Sequence, residues 1–237
     1  MILLRRDTER RHVQCEKHDI WLTFPPQAHP DPLAGGFGVL TAFDELKLPP
    51  GGGTVPHPGD EAESVSYVFR GALAHEDSTG SSGVIHAGEF QHMTTGSGIR
   101  HRETNASRTD WAHVFRISLR PSQAGLDCAH EHRRFVAAQR RNVLCAVASQ
   151  DGRKGSLRIH QDAIIYSGVL DPGHHVIHEL LAKRSAWLHI LQGEATLNDI
   201  VLTGGDGVGV SLEPSVSLTA RESTEILLVD LGPATGS

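Results

Sequence analysis

Short runs of β-branched, aromatic and aliphatic residues recur along the chain between clusters of Gly, Pro, Asn and Asp. The clearest runs are 65–69, 114–119, 157–160, 163–166, 187–191, 200–202 and 226–231. Spacing of about one strand plus one turn is typical of an all-β sandwich or barrel. Helical patterns are scarce, and the segment 178–184 (HELLAKR) fits either a short helix or the end of a strand. The pattern predicts an all-β fold with few short helices.

The two halves of the chain share a layout of histidine turn, strand, glycine turn and strand. In the first half FRGALAHEDSTG follows such a turn, and LQGEATLNDIVL repeats the arrangement in the second half. This weak internal repeat predicts a duplication. We therefore expect an N-terminal domain over 1–125, a charged connector over 126–145 and a C-terminal domain over 146–237.

Composition narrows the class of protein. The 237 residues include 25 Gly and 12 Pro, are 38% hydrophobic and carry a formal net charge of −6. This favours a globular, turn-rich chain, and the negative charge argues against direct nucleic-acid binding. The three cysteines form no paired motif, and no apolar run approaches membrane-spanning length. We expect a soluble cytoplasmic protein without membrane contact, and nothing in the sequence requires more than a monomer.

Sixteen histidines against two tyrosines raise the question of a metal site. Side chains two apart in a strand share a face, so His101 and Glu103 point the same way. If the strand carrying His57 adjoins theirs inside a barrel, two imidazoles and a carboxylate converge. Such a set suits iron, manganese, cobalt, nickel or zinc. The alternative is that His101 and Glu103 pair across a turn and His57 is exposed.

The segment from Gly51 resembles the first sequence motif of the cupins. In that motif a Gly is followed after five residues by His-x-His, then by Glu and Gly. Here Gly51, His57, Glu63 and Gly71 occupy the matching positions, and Gly59 replaces the second histidine.

The second cupin motif is matched by Gly98, His101 and Asn105. The stretch GEFQHMTTGSGIRHRETN, residues 88–105, further resembles the signature of the pirin family. Similar segments extend over nearly the whole chain, among them WLTFPPQAHPDPLAGGFGVL near the start and DGRKGSLRIHQDAIIYSGVL in the second half.

The resemblance implies two tandem cupin barrels of the jelly-roll type. It implies one divalent transition metal, commonly iron(II), held in the N-terminal barrel by three His and one Glu, and no metal in the C-terminal barrel. His57, His101 and Glu103 match three of these ligands, and the fourth falls on Gly59.

Three outcomes follow from the missing ligand. Three residues and an extra water bind metal more weakly, or a neighbouring carboxylate completes the set, or no metal is bound. The neighbouring candidates are Asp60, Glu61 and above all Glu63, because many other cupins use a Glu at this position and because Glu63 has the strand parity of His57.

The remaining histidines are expected to be surface or satisfied core residues. In the first half these are His75, His86, His92 and His113. In the second half His174, His178 and His189 permit a second metal by spacing, but the resemblance argues against one. The glycine-rich stretch 204–209 lacks the helix context of a phosphate-binding loop and is interpreted as hairpin turns.

Two classes of function stay open. Some pirin-like proteins are quercetin 2,3-dioxygenases, which open a flavonol ring with molecular oxygen, and the resemblance then implies that Glu103 accepts the proton of the substrate. Other members act without catalysis as iron-dependent regulators of a protein partner, and a metal-free binding barrel is a third alternative. The sequence contains no Gly-x-Ser-x-Gly elbow, so hydrolase chemistry is not supported.

Overall fold

The computed structural model describes residues 1–25, 31–54, 57–58, 63–78, 80–94, 100–123, 125–126 and 129–233. For residues 57, 58 and 100 we describe the backbone alone. No helix in this part of the chain is long and apolar enough to cross a membrane.

Strands dominate the first half of the chain. They are β1 (Ile2–Arg5), β2 (Arg11–Cys15), β3 (His18–Leu22), β4 (Leu40–Leu48), β5 (His57–Pro58), β6 (Glu63–Arg70), β7 (Ala72–Asp77), β8 (Ser82–His86), β9 (Glu89–Thr94), β10 (Arg100–Asn105), β11 (Ala112–Leu119) and β12 (Ala129–Arg134).

The second half is built in the same way after a four-residue helix, α1 (Ala137–Arg140). Its strands are β13 (Cys145–Ser149), β14 (Leu157–Arg158), β15 (Ala163–Leu170), β16 (His175–Glu179), β17 (Ser185–Gln192), β18 (Glu194–Leu197), β19 (Ile200–Thr203), β20 (Gly207–Ser211), β21 (Ser215–Ala220) and β22 (Thr224–Leu231). Short 3₁₀ turns occur at Asp7–Glu9 and Arg153–Gly155.

Each half forms one seven-stranded and one four-stranded sheet. In the first half the sheet orders are β12-β9-β6-β11-β4-β3-β2 and β5-β10-β7-β8. In the second half they are β1-β20-β17-β22-β15-β13-β14 and β16-β21-β18-β19. Strands β4 to β11 correspond in order to strands β15 to β22, because corresponding strands have corresponding neighbours. The predicted duplication and the two tandem barrels are confirmed.

Two strands link the halves of the chain. β1 pairs with β20, with Leu3 opposite Gly209, so the first residues complete a sheet of the C-terminal barrel. β12 lies within the predicted connector and pairs with β9 of the N-terminal barrel. The domain ranges given above stay a prediction, but these pairings show that the chain enters each barrel from outside its range.

Three apolar clusters form the core of the described structure. One contains Tyr67 and Phe115 from the first half together with Trp187 and Val229 from the second, so it fills the seam between the two seven-stranded sheets. The other two clusters fill the barrels. Fifteen buried residues line the C-terminal interior, but only seven line the N-terminal interior. The N-terminal barrel therefore has room for polar side chains inside.

The structure decides between local alternatives and corrects others. Of the two alternatives for 178–184, the strand end is observed, because β16 ends at Glu179 and a turn follows it. The predicted strand 157–160 is shorter, since β14 ends at Arg158. Gly204 and Gly205 form a turn, but β19 and β20, which it joins, lie in different sheets, so it is not a hairpin turn. Gly207 lies within β20, where the Trp187 ring leaves no room for a Cβ atom.

Candidate metal centre

Strand β10 places the predicted ligands inside the N-terminal barrel. His101, Glu103 and Asn105 are all buried, and Arg102 between them is exposed. Asn105 lies opposite Leu73 of β7, which belongs to the apolar cluster of the N-terminal interior. Because alternate side chains of a strand share a face, His101 and Glu103 point into the same interior.

The backbone of His57 is the register partner of His101. β5 and β10 run antiparallel, with His57 opposite His101 and Pro58 opposite Arg100. The strand that carries His57 therefore adjoins the strand that carries His101 and Glu103, which is the adjacency on which the predicted metal site depends. The predicted gap at Gly59 and the alternative ligands Asp60 and Glu61 lie outside the described residues.

Asn105, the last residue of the second motif, has a structural role. Its Nδ2 donates hydrogen bonds to the carbonyl oxygens of Leu48, Pro49 and Asp110 at 2.7–3.1 Å. Its Oδ1 accepts a hydrogen bond from the backbone N–H of Ser107 at 2.9 Å. The side chain therefore ties the end of β10 to the end of β4 and fixes the strand that carries His101 and Glu103.

Arg116 is a residue of the site that sequence reasoning missed. It lies on β11, on the face of Val114, which lines the N-terminal interior. Its guanidinium donates a hydrogen bond to Oε2 of Glu103, forming an ion pair. Alternating with Phe115 and Ile117, it has the pattern of an exposed residue, and only closure of the barrel turns it inward.

Asp44 shares the electrostatic environment of Arg116. Burial raises the pKa of Asp44 to about 6, although the positive charge of Arg116 opposes the shift. Burial also lowers the pKa of the Arg116 guanidinium, with Asp44 acting against that change. The site thus contains a cation and two carboxyl groups before any metal enters.

Glu63, the favoured replacement ligand, lies on another face. Its strand mates Val65 and Tyr67 belong to the cluster between the barrels, whereas Val68 belongs to the N-terminal interior. Odd-numbered His57 and Glu63 would share a face only if one continuous strand contained both. However, β5 and β6 lie in different sheets, so the odd numbers do not place the two side chains on the same face.

Glu63 instead meets two histidines at the seam between the barrels. Its Oε1 is 2.9 Å from Nε2 of His92 and 3.0 Å from Nδ1 of His160. The backbone N–H groups of His160 and Gln161 donate to its two oxygens at 2.6 and 2.9 Å. Burial pushes the pKa of Glu63 upward, but these hydrogen bonds outweigh burial and hold the pKa below its usual range.

Other histidines of the first half serve the core or the surface, as expected. His75 is buried, and its Nδ1 is 3.2 Å from Nε2 of Gln91. His113 has its Nε2 2.8 Å from Oε1 of Glu45. His86 is exposed. His92 departs from this expectation through its place beside Glu63.

The C-terminal barrel presents different residues at the corresponding positions. By the strand correspondence, Val216 and Leu218 of β21 stand where His101 and Glu103 stand in β10. Both side chains are apolar and offer no ligand atom. His178, opposite Val216, has its Nε2 2.7 Å from Oδ2 of Asp230.

His189 is a buried residue of β17 at the seam between the barrels, on the strand face of Trp187 and Leu191. It is fully buried and stacks on Phe43, with ring centroids 4.2 Å apart. Burial, with Arg10 adding to its effect, lowers the pKa of His189 to about 3, so the ring is neutral. Neither ring nitrogen has a hydrogen-bond partner among the described residues.

Comparison with known proteins agrees with this architecture. The family model described as Pirin matches residues 8–118, and that of the quercetinase C-terminal cupin domain matches 146–231. The chain is 36% identical over 233 residues to the quercetin 2,3-dioxygenase of Escherichia coli K12, covering 98% of this chain and 100% of that one. It is 31% identical over 201 residues to a pirin-like protein of Caulobacter vibrioides, covering 84% and 86%. The crystal structure of the E. coli pirin YhhW in complex with nickel(II) superposes with a TM-score of 0.91 at 34% identity, covering 98% and 100%. The chain therefore belongs to the pirin family.

Proposed function

We propose that the N-terminal barrel binds one divalent transition metal through His57, His101 and Glu103 and oxidises a flavonol-like substrate as a quercetin 2,3-dioxygenase. The observation that carries this proposal is the placement of buried His101 and Glu103 on one face of β10, with the backbone of His57 in register opposite His101. Relatives that span the whole chain bear the name of this activity, and one binds nickel(II).

Buried His101 and Glu103 fit such an ion, with His57 as the proposed third ligand. Two imidazoles and one carboxylate form the donor set of many open metal sites in oxygen-using enzymes. Arg116 engages Oε2 of Glu103, and the second carboxylate oxygen keeps its own lone pairs for a ligand bond. Iron(II) is the ion that we propose, and nickel(II) is the alternative that the relative supports.

The chain's own groups supply the remaining chemistry. The metal, when bound, acts as a Lewis acid toward a substrate oxygen. Glu103 is the proposed acceptor of the substrate hydroxyl proton, since it is buried next to the site. Arg116 donates a hydrogen bond to Oε2 of Glu103 and so occupies part of the carboxylate that would accept the proton. Proton transfer would therefore require Glu103 to separate from Arg116.

A second candidate function is regulation without catalysis. The ion pair between Arg116 and Glu103 favours it, because a cation already neutralises the carboxylate that a metal would use. Together with Gly59 in place of a customary histidine, this pair would weaken metal binding. In this alternative the protein would engage a protein partner according to its metal state.

Metal analysis paired with turnover separates these functions. The purified protein is loaded anaerobically with iron(II), its bound metal is quantified, and loss of the flavonol absorption band is followed together with oxygen uptake. We expect about one equivalent of metal at His57, His101 and Glu103, which we call the first site, and we expect His101→Ala to abolish both this binding and turnover. The control His86→Ala removes an exposed histidine of the same barrel and should retain both.

The outcomes assign the function. Metal lost in His101→Ala, with no flavonol turnover by the wild type, favours the regulator. If the wild type binds no metal that His101→Ala removes, both proposals are wrong. The protein would then be the metal-free binding barrel of the third alternative.

A further inference from the structure

A second group of metal-ligand side chains lies at the seam between the barrels, apart from His101 and Glu103. Glu63, His92 and His160 each offer one ligand atom, and these atoms lie within 4.8 Å of one another. Within the described part of the chain, this is the one group of three such residues that meets that distance. Glu63 and His92 belong to the N-terminal barrel, and His160 follows β14 of the C-terminal barrel.

The two imidazoles converge on a single carboxylate oxygen. Nε2 of His92 and Nδ1 of His160 lie 2.9 and 3.0 Å from Oε1 of Glu63. Zinc bonds of about 2.0–2.1 Å in tetrahedral geometry place neighbouring ligand atoms roughly 3.3 Å apart. Each nitrogen therefore needs to move only a few tenths of an ångström from Oε1 to share an ion with it, and the two nitrogens already lie within 4.8 Å of each other.

The carboxylate is held in place independently of the histidine side chains. The backbone N–H of His160 donates to Oε1 at 2.6 Å, and that of Gln161 donates to Oε2 at 2.9 Å. Carboxylates that bind metals are commonly oriented by such outer hydrogen bonds. Such donors favour the ionised form of a carboxylate, and this is the form that binds a cation.

Each histidine can offer a nitrogen lone pair in place of a hydrogen bond. Without an ion, an imidazole N–H of either ring can donate to Glu63. A neutral ring that shifts this proton to its other nitrogen offers a lone pair at the atom facing Glu63. A divalent ion can therefore replace two hydrogen bonds with ligand bonds.

Access to the cluster comes from the side of His160. The side chain of Glu63 is fully buried and that of His92 is 5% exposed, but that of His160 is 43% exposed. An ion can enter past His160, and water can occupy a remaining coordination position. Two nitrogens, one carboxylate oxygen and an open position form a set that zinc accepts.

We propose that Glu63, His92 and His160 bind one divalent transition ion, Zn²⁺ being the probe of choice, as a second site that joins the two barrels. This site does not depend on the proposed flavonol chemistry, because Glu63 lies on the face of β6 that is turned away from the N-terminal interior, and His92 lies on the face of β9 that carries Phe90 of the seam cluster. Its ion would link residues 97 apart in sequence.

Zinc binding in a His101→Ala background tests this proposal, because that variant removes a ligand of the first site. Zinc stoichiometry and affinity are measured by equilibrium dialysis, and the thermal midpoint is recorded with and without zinc. We expect one equivalent of zinc and a raised midpoint. Adding His160→Gln or His92→Gln should weaken binding about tenfold or more and cancel the rise. Adding His86→Gln, an exposed control, should change neither.

Two results would overturn the second site. One is a His101→Ala protein that takes up no zinc, and the other is zinc binding that survives both His160→Gln and His92→Gln unchanged. If His101→Ala does not fold, the same comparison is made in the wild type, where His160→Gln should remove one equivalent. Flavonol turnover plays no part in this readout, so the two proposals fail separately.

Discussion

Arg116 on β11 forms an ion pair with Glu103 on β10, inside the barrel where the sequence predicts a metal ligand. The guanidinium reaches the carboxylate because both strands turn these side chains toward the same interior. A buried charge is costly unless it is paired. The N-terminal barrel therefore contains its own counter-ion for Glu103.

We predict that Arg116→Gln strengthens metal binding at the first site. Removing the guanidinium frees Oε2 of Glu103 and removes a positive charge that repels the incoming cation. Nickel(II) affinity should rise roughly tenfold, a difference of about 1.4 kcal/mol, by isothermal titration calorimetry. The metal-free protein should lose stability, since Asp44 and Glu103 lose their shared cation.

Arg102→Gln provides the matched control for that change. Arg102 is the exposed neighbour of Glu103 on the same strand, so its substitution removes an equal positive charge outside the barrel. Unchanged or weaker nickel binding by Arg116→Gln would contradict the competition between the guanidinium and the metal.

Asn105→Ala should destabilise the protein by about 2–3 kcal/mol, measured by urea unfolding. The substitution removes the donor to the carbonyl oxygens of Leu48, Pro49 and Asp110 and leaves buried polar groups unpaired. Metal bound at saturation should stay the same at low temperature, because Asn105 positions the strand and is not a ligand. Loss of the metal from folded Asn105→Ala protein would show that this assignment is wrong.

Glu45 should make the stability of the fold sensitive to acid. Burial raises its pKa, but hydrogen bonds and charge from His113 and Arg10 outweigh burial and hold the pKa of Glu45 far below its usual value. A carboxyl whose folded pKa is lowered stabilises the protein above its unfolded pKa of about 4.3 and loses that contribution as the pH falls toward the folded value. Between pH 5 and pH 3 the free energy of unfolding should therefore decrease.

The variant Glu45→Gln should be less stable than the wild type at pH 7, and its free energy of unfolding should fall less steeply on acidification. Exposed Glu16→Gln is the control and should follow the wild-type curve. Parallel curves for Glu45→Gln and the wild type would exclude Glu45 as a source of acid sensitivity.

His189→Leu should leave the free energy of unfolding unchanged or raise it by up to about 2 kcal/mol. The ring is fully buried with neither nitrogen hydrogen-bonded among the described residues, so an apolar side chain removes a desolvation cost. Lost stacking on Phe43 acts in the opposite direction. Chemical denaturation at pH 7 measures the balance, and a decrease of more than about 2 kcal/mol would mean that His189 has a polar role.

The sequence by itself determined the all-β class, the duplication and the face shared by His101, Glu103 and Asn105. These features depend on local alternation and on motif spacing, which the printed order of residues contains. The sequence also indicated the family, because the residues over 88–105 match a motif that is specific to pirins.

Tertiary structure alone decided which interior each strand face meets. Both faces of β6 are buried, one inside the N-terminal barrel and one against the other barrel, so alternation could not say that Glu63 points to the seam. It could not place His160 beside a carboxylate 97 residues away, nor turn Arg116 inward onto Glu103. The physical reason is that a period of two fixes which side chains lie together on a strand, whereas barrel closure and the packing of one sheet on another fix what they contact.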